Sequence, residues 1–286
     1  MANNLFVLDV SIPKKHEEQA ESLLSTNVPW GWQEEEDDEN LLWRIYFESL
    51  TKLDEIARLI QIEIPDSSSR HHFEKALHWQ ENWKKFFTPI YIDDQIMVVP
   101  TWLSDTPFSG MSIIIEPKMA FGTGHHATTT LCLQEINRLF HSGCLNSEDH
   151  FLDLGTGSGI LGIACAKLGL SGIGLDIEST SIDNARENIV GNKVQSRFEV
   201  HEGSLRQLAK EQKFELIVAN ILANPLINMA RDLTNFLSQE KYCLVLSGIL
   251  LSQADRVIRA YQKQGMGRPL TVTKNEWIAI VWTDQN

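Results

Sequence analysis

The run Asp153-Leu154-Gly155-Thr156-Gly157-Ser158-Gly159 separates a short apolar stretch from an apolar segment with helical patterning. A second acid, Asp176, closes the next apolar stretch. Strand, glycine turn, helix, strand, acid is the layout of a nucleotide-type cofactor site. The glycines let the chain bend sharply and bring its backbone close to a ligand. N–H groups at the start of the following helix can donate to polar ligand groups. Gly157-Ser158-Gly159-Ile160-Leu161-Gly162 also matches GxGxxG, a fingerprint that is weak when alone. Asp153 argues against a dinucleotide, because it would repel a pyrophosphate and suits a cationic ligand instead. Asp176 also comes only 14 residues after Gly162.

Two further segments carry chemistry. Ala120 to Thr130 (AFGTGHHATTT) has turn glycines, then hydroxyl residues suited to capping a helix start, and such a loop can open and close over a ligand. The pair His125-His126 raises a metal site, but no third ligand stands at a credible spacing, so no metal is expected. Ala219-Asn220-Ile221-Leu222-Ala223-Asn224-Pro225 follows the fourth strand expected in this region. Ligands of open α/β sheets bind outside the carboxyl ends of strands, which places Asn220 at the reaction centre. Its amide oxygen can accept a hydrogen bond from a substrate amine. The alternative is a turn asparagine satisfied by its own backbone.

The elements that must position these residues fall into two groups. Strand-like 5–12, helix-like 14–25, strand-like 30–33 and 41–47, helix-like 52–60 (ended by Pro65) and strand-like 72–77 give β-α-β-β-α-β, a small α+β ferredoxin-like domain over residues 1–78. The acidic run Glu34–Glu39 reads as the turn joining its middle strands. Trp79, Trp83 and Phe87 share one helical face before Pro89, so 79–89 reads as a helical linker or as a helix packed at the next domain's edge. From residue 90 to 286, strand-like runs (96–99, 113–115, 151–154, 172–175, 197–200, 216–219, 243–246) alternate with helix-like segments (128–140, 160–168, 180–190, 225–237, 250–263). That alternation predicts a mostly parallel sheet covered by helices on both faces. The last runs, 270–273 and 277–282, are only three residues apart and must pair antiparallel at the sheet's edge.

Composition narrows the class. The 286 residues carry a formal charge of −13, and residues 1–60 hold 13 acids against 5 bases. Such a surface repels nucleic-acid phosphates and attracts a basic partner; its simplest alternative is a solvated hairpin tip. No apolar run reaches the roughly 20 residues that span a bilayer, and no secretory signal opens the chain, so no membrane association is expected. Four scattered cysteines without a CxxC pair fit a reducing cytoplasm.

With Asp153, the alternate glycines and Asp176, the region resembles the class I S-adenosylmethionine-dependent methyltransferases. Four motifs together resemble the PrmA family, bacterial methyltransferases of the large-subunit ribosomal protein L-eleven. They are Phe121–Thr129, the Asp153 loop, Val218–Ala223 and Leu246-Ser247-Gly248-Ile249-Leu250. The resemblance spans essentially the whole chain. His125 and Ala127 stand where threonine and proline are common in the family, and Thr156 where cysteine often occurs. It implies a Rossmann-like, seven-stranded class I sheet with an antiparallel C-terminal pair, and S-adenosylmethionine as cofactor. Thr129, Gly155, Asp176 and Asn220 match the family's cofactor-binding positions, with Asp176 on the ribose hydroxyls. Phe121, Gly122 and Thr123 match its loop over the cofactor. Asp153, Gly157 and the Gly203-Ser204-Leu205 turn should border the site, Ser204 and Leu205 near the adenine. Residues 90–286 would be the catalytic domain and residues 1–78 the part that grips the substrate protein, free of the ribosome or during assembly. The competing readings are a methyltransferase of another substrate class, a non-catalytic ribosome assembly factor and a nicotinamide enzyme. Asn220 is followed by Ile221-Leu222 rather than the Pro-Pro-aromatic sequence of enzymes that methylate amide or base nitrogens.

Overall fold

In the computed structural model, which describes residues 4–28, 32–36, 40–47, 49–75, 88–117 and 126–284, the chain divides into units Met1–Thr88 and Pro89–Asn286. Strict alternation builds the first. Strands β1 (Asn4–Pro13) and β3 (Asn40–Phe47) turn Leu8, Val10, Ile12, Leu41, Trp43, Ile45 and Phe47 to one face. Helices α1 (Glu17–Asn27) and α2 (Leu50–Glu63) cover that face with Ala20, Leu24, Leu53, Ile56 and Ile60. With β2 (Gln33–Glu36) and β4 (Ser68–Lys75) the sheet order is β2-β3-β1-β4, antiparallel throughout, the expected ferredoxin-like arrangement.

Two details differ from expectation. The last strand starts at Ser68 rather than His72. It pairs with β1 from Ser11↔Ser68 to Asn4↔Lys75, yet Ser68 to Phe73 are exposed or half-exposed, so no apolar pattern marks it. The acidic run is not all turn either. Glu34–Glu36 belong to edge strand β2, whose backbone pairs them with Trp43, Leu42 and Leu41 of β3. Residues 37–39, and 79–87 of the expected linker helix, lie outside the described residues.

In the second unit, β5 (Ile90–Ile92), β6 (Ile96–Pro100) and β7 (Met111–Ile115) form a separate three-stranded sheet. The runs at 96–99 and 113–115 therefore do not join the large sheet as expected. That sheet contains β8 (His150–Leu154), β9 (Ser171–Asp176), β10 (Phe198–Glu202), β11 (Leu216–Asn220), β12 (Cys243–Leu250), β13 (Leu270–Lys274) and β14 (Trp277–Thr283). Its order is β10-β9-β8-β11-β12-β14-β13. Pairing is parallel from β10 to β12, and β14 runs antiparallel to both neighbours, as the short final connection requires.

Helices cover both faces. On one, α3 (Ala127–His141), α4 (Ile160–Lys167) and α5 (Ser179–Gly191) bury Ile136, Ile163 and Ile189 against Phe151, Val218 and Val245. On the other, α6 (Ala223–Asn228), α7 (Ala230–Phe236) and α8 (Ala254–Gln262) bury Leu226, Leu233 and Tyr261 against Leu152, Ile217 and Leu244. Two boundaries were not expected. The segment at 225–237 is two helices meeting at Met229. Strand β12 runs on to Leu250 because Gly248, at φ +81°, carries a register shift after which Ile249 and Leu250 pair again with β14. No helix among the described residues is long and apolar enough to cross a membrane.

Strand β8 has β9 on one side and β11 on the other, so the strand order reverses there. A crevice for ligands is expected outside the carboxyl ends of β8 and β11.

Candidate cofactor site

The glycine turn leaves β8 at that point. Gly155, Gly157 and Gly159 have φ values of +73°, +54° and +81°. These are left-handed conformations that side chains resist. At Gly155 a Cβ would also collide with the side chain of Ile221. The N–H groups of Gly155 and Thr156 donate to the Leu175 carbonyl at 2.8 and 3.0 Å, which ties the turn to β9.

Asp153 is fully buried. Its Oδ2 accepts from Thr156 Oγ1 at 2.6 Å and from the Gly162 N–H at 3.0 Å, while its Oδ1 is buried without a partner among the described residues. Burial pushes the Asp153 carboxyl up to about 6; the two hydrogen bonds oppose the shift and the charge of Asp176 adds to it. Folding thus raises this pKa, so the associated stability is full below pH 4 and is lost as pH climbs to about 6. The loss is on the order of 3 kcal/mol. Asp153→Asn is expected to flatten the fall in apo-protein Tm over that pH range. Thermal melts check this, and an equally steep fall in the variant would contradict it.

Asp176 ends β9 half-buried. Its Oδ2 accepts from the Gly157 N–H at 2.9 Å and its Oδ1 from the Glu178 N–H at 3.0 Å. A carboxylate oxygen has room for two donors, so each retains one acceptor position. The Gly203 N–H donates to the Asp176 carbonyl at 2.7 Å, which sets the Ser204-Leu205 turn beside Asp176. Leu205 is buried in the apolar layer, and the Ser204 N–H donates to Gln207 Oε1.

Asn220 ends β11. Val218 pairs with Asp153 and Ala219 with Leu154, so Asn220 stands level with Gly155. Its Nδ2 donates to Thr129 Oγ1 of α3 at 3.4 Å, and its Oδ1 is buried without a partner among the described residues. Helix α3 is capped by His126, whose Nδ1 lies 2.7 Å from Thr128 Oγ1 and 3.4 Å from the Thr128 N–H. The expected capping by the threonine hydroxyls is therefore taken over by the residue before them, because Thr128 to Thr130 already lie inside the helix.

The structure thus gathers Asp153, Gly155, Gly157, Asp176, Asn220 and Thr129 around the reversal point, with Ser204 and Leu205 adjoining Asp176. Phe121, Gly122 and Thr123 lie outside the described residues. Two residues went unread in the sequence. Ile221 packs against Gly155 while its N–H donates to the Ser247 carbonyl at 3.1 Å, and Gly248 lies against its backbone, so one residue locks three motifs together. Ile177, beside Asp176, is a 77% exposed apolar side chain, and only its position after a strand-closing acid marks it. A separate cleft of about 370 Å³, lined by Thr101, Ile114, Glu116, Glu187, Asn188 and Gly191, contains none of the expected site residues. Among the described residues no three His, Cys, Asp or Glu side chains are grouped to hold a metal.

The residues present fit S-adenosylmethionine. A buried acceptor without a donor costs about 1–3 kcal/mol. Asp153 Oδ1 and Asn220 Oδ1 are two such acceptors, and the remaining acceptor positions of Asp176 suit paired hydroxyls. A ligand with a cationic end and a ribose supplies donors for Asp153 and Asp176 and leaves the Asn220 oxygen to a substrate amine, whereas a pyrophosphate would face Asp153.

Strand order three-two-one-four-five-seven-six, a glycine turn after the first strand and an acid closing the second define the Rossmann-like fold of class I methyltransferases. The chain belongs to the PrmA family, whose profile, described as "Ribosomal protein L11 methyltransferase (PrmA)", matches residues 8–285. A relative from Ruminiclostridium cellulolyticum, named ribosomal protein L11 methyltransferase, is 32% identical over 256 residues, covering 85% of this chain and 79% of that one. One of the same name from Alkaliphilus oremlandii is 35% identical over 205 residues, covering 71% and 63%. The match therefore spans less than two thirds of that second relative's length. The crystal structure of ribosomal protein L11 methylase from Lactobacillus delbrueckii subsp. bulgaricus superposes with a TM-score of 0.61 at 30% identity, covering 68% of this chain and 97% of that one.

Proposed function

We propose that this chain transfers methyl groups from S-adenosylmethionine to amino groups of ribosomal protein L11, lysine side chains foremost. The observation that carries the reading is the pair of buried acceptors without a donor among the described residues, Asp153 Oδ1 and Asn220 Oδ1, beside a glycine turn at the strand-order reversal. Family membership and the names of the relatives supply the substrate. Residues 90–286 bind the cofactor, and residues 1–78 grip the substrate protein through a strongly acidic surface suited to a basic partner. Four free cysteines fit a cytoplasmic setting.

The cofactor supplies an already activated methyl group on a sulfonium, which departs as a thioether. The protein's task is then mainly to place the two reactants in line. Asp176 holds the ribose hydroxyls, and Asp153 lends negative charge at the cationic end. Thr129 fixes the Asn220 carboxamide through its Nδ2, which leaves the Asn220 oxygen to accept from the attacking amine. A lysine amine has a pKa of about 10.4 in water and must lose its proton before it attacks. Burial disfavours the charged form, so desolvation at the site together with the Asn220 oxygen prepares the neutral amine, and water takes the proton.

Calorimetric titration tests the cofactor half of this reading. S-adenosylhomocysteine is expected to bind and NAD not to. Binding of NAD in its place would make the chain a nicotinamide enzyme instead.

A further inference from the structure

Helix α5 and the residue that caps its carboxyl end present a row of buried asparagines at helical spacing, Asn184 and Asn188 within the helix and Asn192 at the cap. Four helical residues advance about 6 Å and two strand residues about 6.7 Å. Asn188 and Asn192 can therefore meet alternate residues of an extended segment, and they do so at Ile114 of β7 and at Glu116 just past its end. Asn192 Nδ2 donates to the Ile114 carbonyl at 2.5 Å, and its Oδ1 accepts from the Ile114 N–H at 2.9 Å. Asn188 Oδ1 accepts from the Glu116 N–H at 2.8 Å. These side chains serve the edge of β7 in place of a further strand.

Asn188 does one thing that Asn192 does not. Its Nδ2 donates to the carbonyl of Ser158, at 2.8 Å, inside the glycine turn. In an uninterrupted helix the Gly162 N–H would donate to that carbonyl, four residues earlier. Here the Gly162 N–H donates to Asp153 Oδ2 at 3.0 Å instead. Asp153 and Asn188 thus take the two halves of a helical hydrogen bond that the turn gives up. Ser158 is flanked by Gly157 at φ +54° and Gly159 at φ +81°. Glycine adopts both signs of φ at little cost, so the turn depends on what holds its peptides. The Gly157 N–H donates to Asp176 Oδ2 and the Gly159 N–H to the Thr156 carbonyl at 2.8 Å, while Asn188 holds the carbonyl side of the Ser158–Gly159 peptide.

We propose that Asn188 is a positioning residue for cofactor binding, its amide N–H fixing the Ser158 carbonyl and hence the Gly157–Gly159 turn against β7. The inference rests on the reading that this turn holds S-adenosylmethionine. Without the bond, part of the population carries a turned peptide, and apparent affinity falls by the fraction still competent.

Asn192 is the internal control, since its bonds reach β7 and the Asn188 carbonyl but not the turn. Asn188→Ala and Asn192→Ala should both lower Tm. At a temperature well below both transitions, Asn188→Ala is expected to weaken S-adenosylhomocysteine binding about tenfold and Asn192→Ala by less than about twofold. Asn188→Asp keeps the acceptor for Glu116 and loses the donor to Ser158, so it should bind as weakly as Asn188→Ala. It decides the matter should the alanine variant not fold. Equal affinities in the Asn188 and Asn192 variants would overturn the proposal and leave the cofactor reading intact. Failure of the unaltered chain to bind would overturn that reading itself, and this inference with it.

Discussion

Asn220→Ala is expected to lower kcat by about 10²- to 10³-fold, the effect of removing one preorganised polar contact at a reacting centre. Cofactor affinity should change far less. The expectation follows from how the carboxamide is held. Its nitrogen is engaged by Thr129 and its oxygen is buried with no partner among the described residues, so a hydrogen-bond acceptor stands ready in a place where water is scarce. A substrate amine brings the missing donor, and the bond then helps to orient the nitrogen lone pair toward the methyl carbon. Loss of that contact should therefore appear in the chemical step and not in cofactor binding. Thr129→Val should reproduce part of the defect by freeing the carboxamide to rotate. Single-turnover methylation, read beside calorimetric binding of S-adenosylhomocysteine, separates the two steps. Normal binding with an undiminished rate would remove Asn220 from the mechanism.

Asp176→Ala is expected to act on the other parameter. Hydrogen bonds to a charged acceptor contribute about 1.5–3 kcal/mol each. Losing the contact to the ribose hydroxyls should weaken cofactor binding by about 10- to 100-fold, with kcat at saturating cofactor little changed. The same carboxylate accepts from the N–H groups of Gly157 and Glu178, so some of the loss will come from a loosened turn. Asp176→Asn keeps the shape and one acceptor oxygen, and it should fall between the unaltered chain and the alanine variant. Unchanged affinity in Asp176→Ala would place the ribose elsewhere.

The site was legible where local backbone geometry demands particular residues. Three alternate glycines at positive φ, an acid before them and an acid closing the next strand have few other uses, and all lie within one strand–turn–helix–strand unit. Asn220 was readable because strand order places the end of the fourth strand beside the turn. Contacts between distant segments left no such mark. Nothing in the sequence says that Ile221 would seat against both Gly155 and Gly248. Nothing says that Asn188 and Asn192 would close the edge of β7, and with it that β5 to β7 would form their own sheet. The β4 start at Ser68 was hidden because an exposed strand has no apolar face to alternate. The acids of β2 read as turn residues because charge at a sheet edge and charge in a turn look alike in one dimension.

The central claim is methyl transfer to a ribosomal protein, and intact-mass spectrometry of purified L11 incubated with the chain and S-adenosylmethionine tests it most directly. The account predicts mass increases of whole methyl groups on L11, mapped by fragmentation to amino groups and absent when Asn220→Ala replaces the unaltered chain over the same interval. An L11 that stays unmodified, with a chain that binds S-adenosylhomocysteine, would contradict it and point to a non-catalytic partner or another substrate.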